Sequence, residues 1–281
     1  MKIPLRRNIP ISTFVLVVYY FVMILWWIML RLEASVDTKE TYYFGILIGV
    51  LAITSGIIGL TKSKNWGYLS SYVGKAIIFL SAGLVTWGIG TLMIGYYNIA
   101  LNQSYPYPSW ADLAYIISWP LWFIGMFNLS KATGTRFQVK NWVGKLYAAL
   151  IVIFASALSY YLLFVVARGG VFEINTENYL GLFFDFAYPI GGVVILTTSL
   201  LLLGLSANYL GGVFKAPIFL IIIGFVLNYI ADVAFTYTNT LGTFYVSNWV
   251  DLIYLSVFFI LGVGITLFDQ KILKQTNETK I

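Results

Sequence analysis

Eight runs of mostly apolar residues follow one another along the chain, near 11–30, 42–61, 70–97, 111–129, 146–167, 179–205, 216–238 and 249–268. About 20 such residues, rising 1.5 Å each as a helix, cross the roughly 30 Å hydrocarbon core of a bilayer. No other feature constrains the fold as tightly. In hydrocarbon every backbone N–H and C=O must be satisfied inside the protein, which a helix does within itself. The connections, such as TKSKNW, NQSYPYPS and SANYLGG, are short and polar. Charged residues make up 10% of the 281 positions, against about 25% in soluble proteins, too few to cover a surface facing water. The expected class is an all-α integral membrane protein of eight transmembrane helices. A single polytopic domain over 1–268 is followed by a short tail, 269–281, and the lipid bilayer is the main partner.

Charge sets the expected orientation. With the amino terminus cytoplasmic, Arg31, Lys39 and Arg168 fall outside and the remaining 14 of the 17 lysines and arginines fall inside. The positive-inside rule favours this arrangement and opposes its reverse, so both termini are expected in the cytoplasm of a multi-pass cell-membrane protein. The net charge of +6 thereby has a sided cause and calls for no nucleic-acid partner. The first run, ISTFVLVVYYFVMILWWIML, is too long for a signal-peptide core and lacks a small-x-small cleavage site, so it reads as a retained anchor. Tryptophans and tyrosines near the span ends (Trp26, Trp27, Trp66, Trp110, Trp142, Trp249) read as an interfacial belt. Pro120 and Pro189 are expected to kink the spans that contain them.

The residue types that are missing narrow the chemistry. Without cysteine there are no disulfides or thiolates; without histidine the commonest metal ligand and neutral-pH proton relay are gone. No nucleophile–base set, metal cluster or phosphate-binding glycine loop is present, and no cofactor is expected. Lys75 and Lys215 fall at helix ends, which discounts a Schiff-base chromophore. Gly191–Gly192 reads as helix packing and Gly211–Gly212 as a turn.

The chain resembles itself. Ser109-Trp110-Ala111-Asp112-Leu113-Ala114-Tyr115 parallels Asn248-Trp249-Val250-Asp251-Leu252-Ile253-Tyr254, while Gly83, Tyr96 and Asn98 parallel Gly224, Tyr237 and Asn239. Gly45 and Gly181 align more weakly. Two four-helix halves, about 11–130 and 146–268, are expected. Four being even, both would insert in the same sense, about a pseudo-two-fold axis along the membrane normal.

Four aspartates, Asp112, Asp185, Asp232 and Asp251, interrupt these spans. A carboxylate at the bilayer centre costs about 2.5–3.5 kcal/mol on insertion scales. Ser109-x-x-Asp112 and Asn248-x-x-Asp251 fit helix caps, with a carboxylate at the third helical position bonding back to the cap amide. Asp185 and Asp232 lie about two turns from the outer ends of spans six and seven, where capping does not account for them. They are expected to bound an outward-facing polar pocket with Asp112 and Asp251, lined by Tyr188, Asn228, Tyr237, Tyr115 and Tyr254, or else to form a closed network between helices. The pocket would take an unidentified small ligand from the outer side.

The segment Tyr105-Pro106-Tyr107-Pro108-Ser109-Trp110-Ala111-Asp112-Leu113-Ala114-Tyr115, with Pro120 and Gly125 after it, resembles a signature in the polytopic amino-terminal membrane region of bacterial diguanylate cyclase and histidine-kinase proteins. Asp185-x-x-Tyr188-Pro189, Ala231-Asp232 with Tyr237, and Asp251-x-x-Tyr254 match that family's later elements. The resemblance implies a membrane sensor module, here with only thirteen residues after span eight and hence a separate cytoplasmic signalling partner. Beside a stand-alone sensor or interaction module stand a cation- or proton-coupled transporter and, behind both, an intramembrane enzyme using paired carboxylates.

Overall fold

A computed structural model describes residues 10–133, 141–171, 179–206 and 214–268. They form α1 (Ile11–Leu32), α2 (Lys39–Ser63), α3 (Tyr72–Ile99), α4 (Trp110–Ala132), α5 (Trp142–Ser159, continued to Val166), α6 (Tyr179–Ser206), α7 (Lys215–Thr240) and α8 (Trp249–Thr266). No strand occurs among the described residues. All eight helices are long and apolar enough to cross a membrane, and their bounds fall within a few residues of the expected spans. Gly211–Gly212 and the tail lie outside the described residues.

The helix starts follow from the sequence. An α-helix leaves its first amides without partners, and Ser, Thr or Asn stands where a cap is needed. Thr38 and Thr41 bond each other's backbone N–H across the first turn of α2. Ser71 Oγ accepts from Gly74 N–H at 2.9 Å and Asn141 Oδ1 from Gly144 N–H at 2.7 Å. Pro120 and Pro189 sit inside α4 and α6, both of which continue through them.

Packing is closest where side chains are smallest. Lipid supplies no hydrophobic drive between helices, so association depends on backbones approaching and on van der Waals contact. A methyl group on Gly49 of α2 would stand 2.9 Å from the Gly88 carbonyl of α3, and one on Gly56 would stand 2.6 Å from the Ser81 carbonyl. Gly191 receives the Trp119 ring so closely that a methyl there would overlap it, at 1.3 Å, as the helix-packing reading of Gly191–Gly192 expects.

The interior is apolar. Leu80, Leu84, Trp122, Ile221, Phe225, Leu261 and Ile265 close on one another at its centre, with Trp122 and Phe225 edge to face at 5.3 Å. Helix α8 is the hub, packing on α1, α2, α3 and α7. Helix α5 lies at the rim, its Val143, Ile153 and Phe154 outward, and its last turns, Tyr160–Val166, widen into a π-helix.

One end of α8 is clasped. The Lys62 ammonium donates to the Thr266 carbonyl at 2.9 Å and Trp66 Nε1–H to the Phe268 carbonyl at 3.0 Å. The Thr13 and Thr266 hydroxyls meet at 2.8 Å. The Lys62 and Trp66 contacts satisfy carbonyls that a helix terminus leaves open, and the ammonium sits at the negative end of the dipole. Trp66 is therefore an anchor of α8. Trp27, which donates to the Ser247 carbonyl at 2.9 Å, holds the connection before that helix. Trp110, Trp142 and Trp249 are exposed and fit the belt.

Candidate functional site

The four aspartates lie at the opposite end of the bundle, where α3 ends, α4 begins, α6 begins, α7 ends and α8 begins. Asp112 is the most enclosed, 5% exposed. Its Oδ2 accepts from the Ser109 N–H at 2.7 Å and the Ser109 hydroxyl at 2.9 Å, the expected capping arrangement. Its Oδ1 is turned inward and accepts from the Tyr188 hydroxyl of α6 at 2.7 Å. One carboxyl thus closes a helix start and ties α4 to α6.

Asp251 differs from its counterpart. Asn248 Oδ1 caps α8, accepting from Val250 N–H at 2.8 Å. The Asp251 carboxyl, however, accepts from Ser247 N–H at 2.6 Å, one residue before the expected cap amide. Two features cause the shift. The Asn248 N–H is already committed to the Tyr245 carbonyl at 3.1 Å, and Ser247 has φ +70°, a left-handed conformation rare for non-glycine residues. A three-residue-spacing rule could not foresee that turn.

Asp232 lies in the second half of α7 and is partly buried. Its Oδ1 accepts from the Tyr254 hydroxyl of α8 at 2.7 Å and its Oδ2 from the Asn228 amide at 2.9 Å. Hydrogen bonds to charged groups contribute about 1.5–3 kcal/mol each, so two of them offset an insertion cost of about 2.5–3.5 kcal/mol. Thr236 donates to the Asp232 main-chain carbonyl.

Asp185 has a different partner from Asp232. It is partly buried near the start of α6, and its Oδ1 accepts from the Tyr107 hydroxyl of the α3–α4 connection at 2.8 Å. Tyr188, expected beside it, serves Asp112. Tyr237 is 42% exposed and makes no hydrogen bond to any of the four carboxyls. Within the cluster two carboxyl–phenol pairs cross between helices, Asp112–Tyr188 and Asp232–Tyr254.

Aromatic rings join the two pairs. Trp87 of α3 stands between Tyr115 and Tyr254, with ring centroids at 5.2 and 5.6 Å, and packs on Phe258 at 3.9 Å. The Tyr115 hydroxyl meets the Thr91 hydroxyl at 3.2 Å. Tyr105, in the α3–α4 connection, lies within the fields of Asp112 and Asp251. Burial raises its phenol pKa above the ordinary value, and the fields of Asp112 and Asp251 raise it further, so the phenol stays protonated at neutral pH. Tyr107 is raised chiefly by burial and then by its bond to Asp185, with Arg168 opposing. Tyr105 and Tyr107 belong to the signature segment, whereas Trp87 and Thr91 lie in the body of α3.

The arrangement is rich in acceptors and phenols. Among the described residues no three acidic side chains converge as a metal-ion site. It can hold and release protons or cations and bind groups through phenol hydrogen bonds, and it contains no nucleophile activated by a base. Compared with known proteins, the chain matches no family model, and no curated protein or solved structure is significantly similar to it.

Proposed function

We propose that this multi-pass membrane protein is a stand-alone sensor or interaction module, with a polar site at the outer end of its bundle centred on Asp112, Asp232 and Asp251. The observation that carries this reading is the placement of α8. Its first turns hold Asp251 and Tyr254 in the acid cluster, and its last residues are gripped by Thr13, Lys62 and Trp66. A ligand that displaced the Tyr254 hydroxyl from Asp232 would act on the same rigid element that leads to the far end. The positive-inside bias assigns that far end to the cytoplasm, where a partner would read it. The resemblance to bacterial membrane sensor regions supports the same assignment.

A transporter is the second reading, and one observation favours it. On the alignment that sets Gly83 against Gly224 and Asp112 against Asp251, Leu80 falls against Ile221, Trp122 against Leu261, and Gly125 against Gly264. A methyl on Gly83 would meet Trp122 at 2.3 Å, and one on Gly224 would meet Leu261 at 2.5 Å. A methyl on Gly125 would meet Leu80 at 2.7 Å, and one on Gly264 would meet Ile221 at 3.0 Å. Tyr115–Thr91 likewise answers Tyr254–Asp232. Contacts that repeat with the sequence support a parallel duplication, an architecture common among carriers.

The test uses the protein in nanodiscs with a bimane fluorophore on Leu267→Cys, the chain having no cysteine of its own. A small-molecule panel is screened by thermal shift on this protein and on its Asp112→Asn and Asp232→Asn variants. Sensing predicts a compound that stabilises the parent, fails on a variant and changes the bimane signal. Saturable uptake of that compound into proteoliposomes, with the bimane signal unmoved, would overturn it in favour of transport.

A further inference from the structure

The acid cluster contains an imbalance at Asn228. This residue is 5% exposed, and its amide nitrogen is committed to Asp232. That bond fixes which way the amide points, because a carboxyl oxygen takes a donor. The Asn228 Oδ1 is consequently a buried acceptor with no hydrogen-bond partner, one side chain away from the Asp232 carboxyl. Two bonds occupy the Asp232 oxygens, which offer about four acceptor positions between them. Among the described residues Asp232 bonds Tyr254 and Asn228, both neutral. Arg31 donates to Tyr245 and packs on Trp27, and neither ring belongs to the cluster. Lysine and arginine are absent from the sequence of α7 after Lys215 and from all of α8.

We propose that Asp232 and Asn228 form a binding site for a small inorganic monovalent cation of the Na⁺ class; this deepens the outer-site reading given above and rests on it. An oxygen-only donor set suits a hard cation. One carboxylate with a neutral amide carbonyl matches a single positive charge, and the other carboxyls do not converge with it as a multivalent ion would require. The Tyr254 hydroxyl, bonded to Asp232, can supply a further oxygen. Occupation would give the buried Asn228 carbonyl its partner and set a counter-charge beside Asp232, which its two hydrogen bonds stabilise without neutralising. The requirement for both residues separates this site from general screening by salt, which acts on any exposed charge.

The experiment is thermal unfolding of the full chain in nanodiscs at constant ionic strength. N-methylglucamine chloride is replaced stepwise by NaCl, with LiCl, KCl and methylammonium chloride as parallel arms. A saturable rise in Tm of about 3 °C or more is expected with an alkali cation, lost in Asp232→Asn and in Asn228→Leu. Because either variant could fold poorly, binding of ²²Na⁺ to the parent protein is measured directly, with unlabelled NaCl as competitor. No saturable binding, an equal shift in both variants, or a shift with methylammonium alone overturns the site. The bimane on Leu267→Cys separates the two readings. Saturable Na⁺ binding with no bimane change leaves the cation site standing and removes Na⁺ sensing, whereas absent Na⁺ binding removes the cation site and leaves sensing to the compound panel.

Discussion

Tyr254 and Tyr115 occupy matching places in α8 and α4, yet their hydroxyls meet different groups. Tyr254 donates to a carboxyl at 2.7 Å, while Tyr115 meets a threonine hydroxyl at 3.2 Å. Hydrogen bonds to charged groups contribute about 1.5–3 kcal/mol and neutral ones about 0.5–1.5. Tyr254→Phe should therefore cost about 1–2 kcal/mol more than Tyr115→Phe, read as the difference in unfolding free energy in the same detergent. At this scale the sequence was only partly legible. Ser109-x-x-Asp112 announced its cap, because capping depends on spacing within one helix. The pairing of Asp112 with Tyr188, and of Asp232 with Tyr254, depends on how separate helices are rotated against each other. No local spacing encodes that rotation, so depth in the spans could not indicate that Asp185 bonds Tyr107 while Asp232 bonds Tyr254.

Helices were the most legible level. Length and apolarity mark a span in lipid, and all eight bounds fell close to expectation. The π-helical turns of Tyr160–Val166 were not legible, since a change from four- to five-residue hydrogen bonding has no residue signature of its own. Just before them, the Ser159 hydroxyl meets Tyr229 of α7 at 2.8 Å. Packing between elements makes a graded prediction. A methyl on Gly125 would face Leu80 Cγ at 2.7 Å and its backbone N at 2.9 Å, whereas at Gly264 the corresponding Ile221 atoms are 3.0 and 3.3 Å away. Overpacking costs about 1–3 kcal/mol where neighbours cannot move. Gly125→Ala should lower Tm more than Gly264→Ala, and equal effects would mean that the α3–α4 seam is looser than these distances imply.

In the molecule as a whole, α8 joins the two ends of the bundle. From Tyr254 to Thr266 the helix rises about 18 Å at 1.5 Å per residue, through side chains that are almost all buried or partly buried. At its start it depends on Asp232, and at its finish on Thr13, Lys62 and Trp66. Coupling of this kind needs a shared element whose state both ends bias. The direct measurement is amide hydrogen exchange across α8 in nanodiscs, comparing the parent with Asp232→Asn. Exchange is expected to change several-fold at Gly262–Phe268 as well as around Tyr254. A change confined to residues near 228–254, with Gly262–Phe268 protected as in the parent, would contradict that coupling.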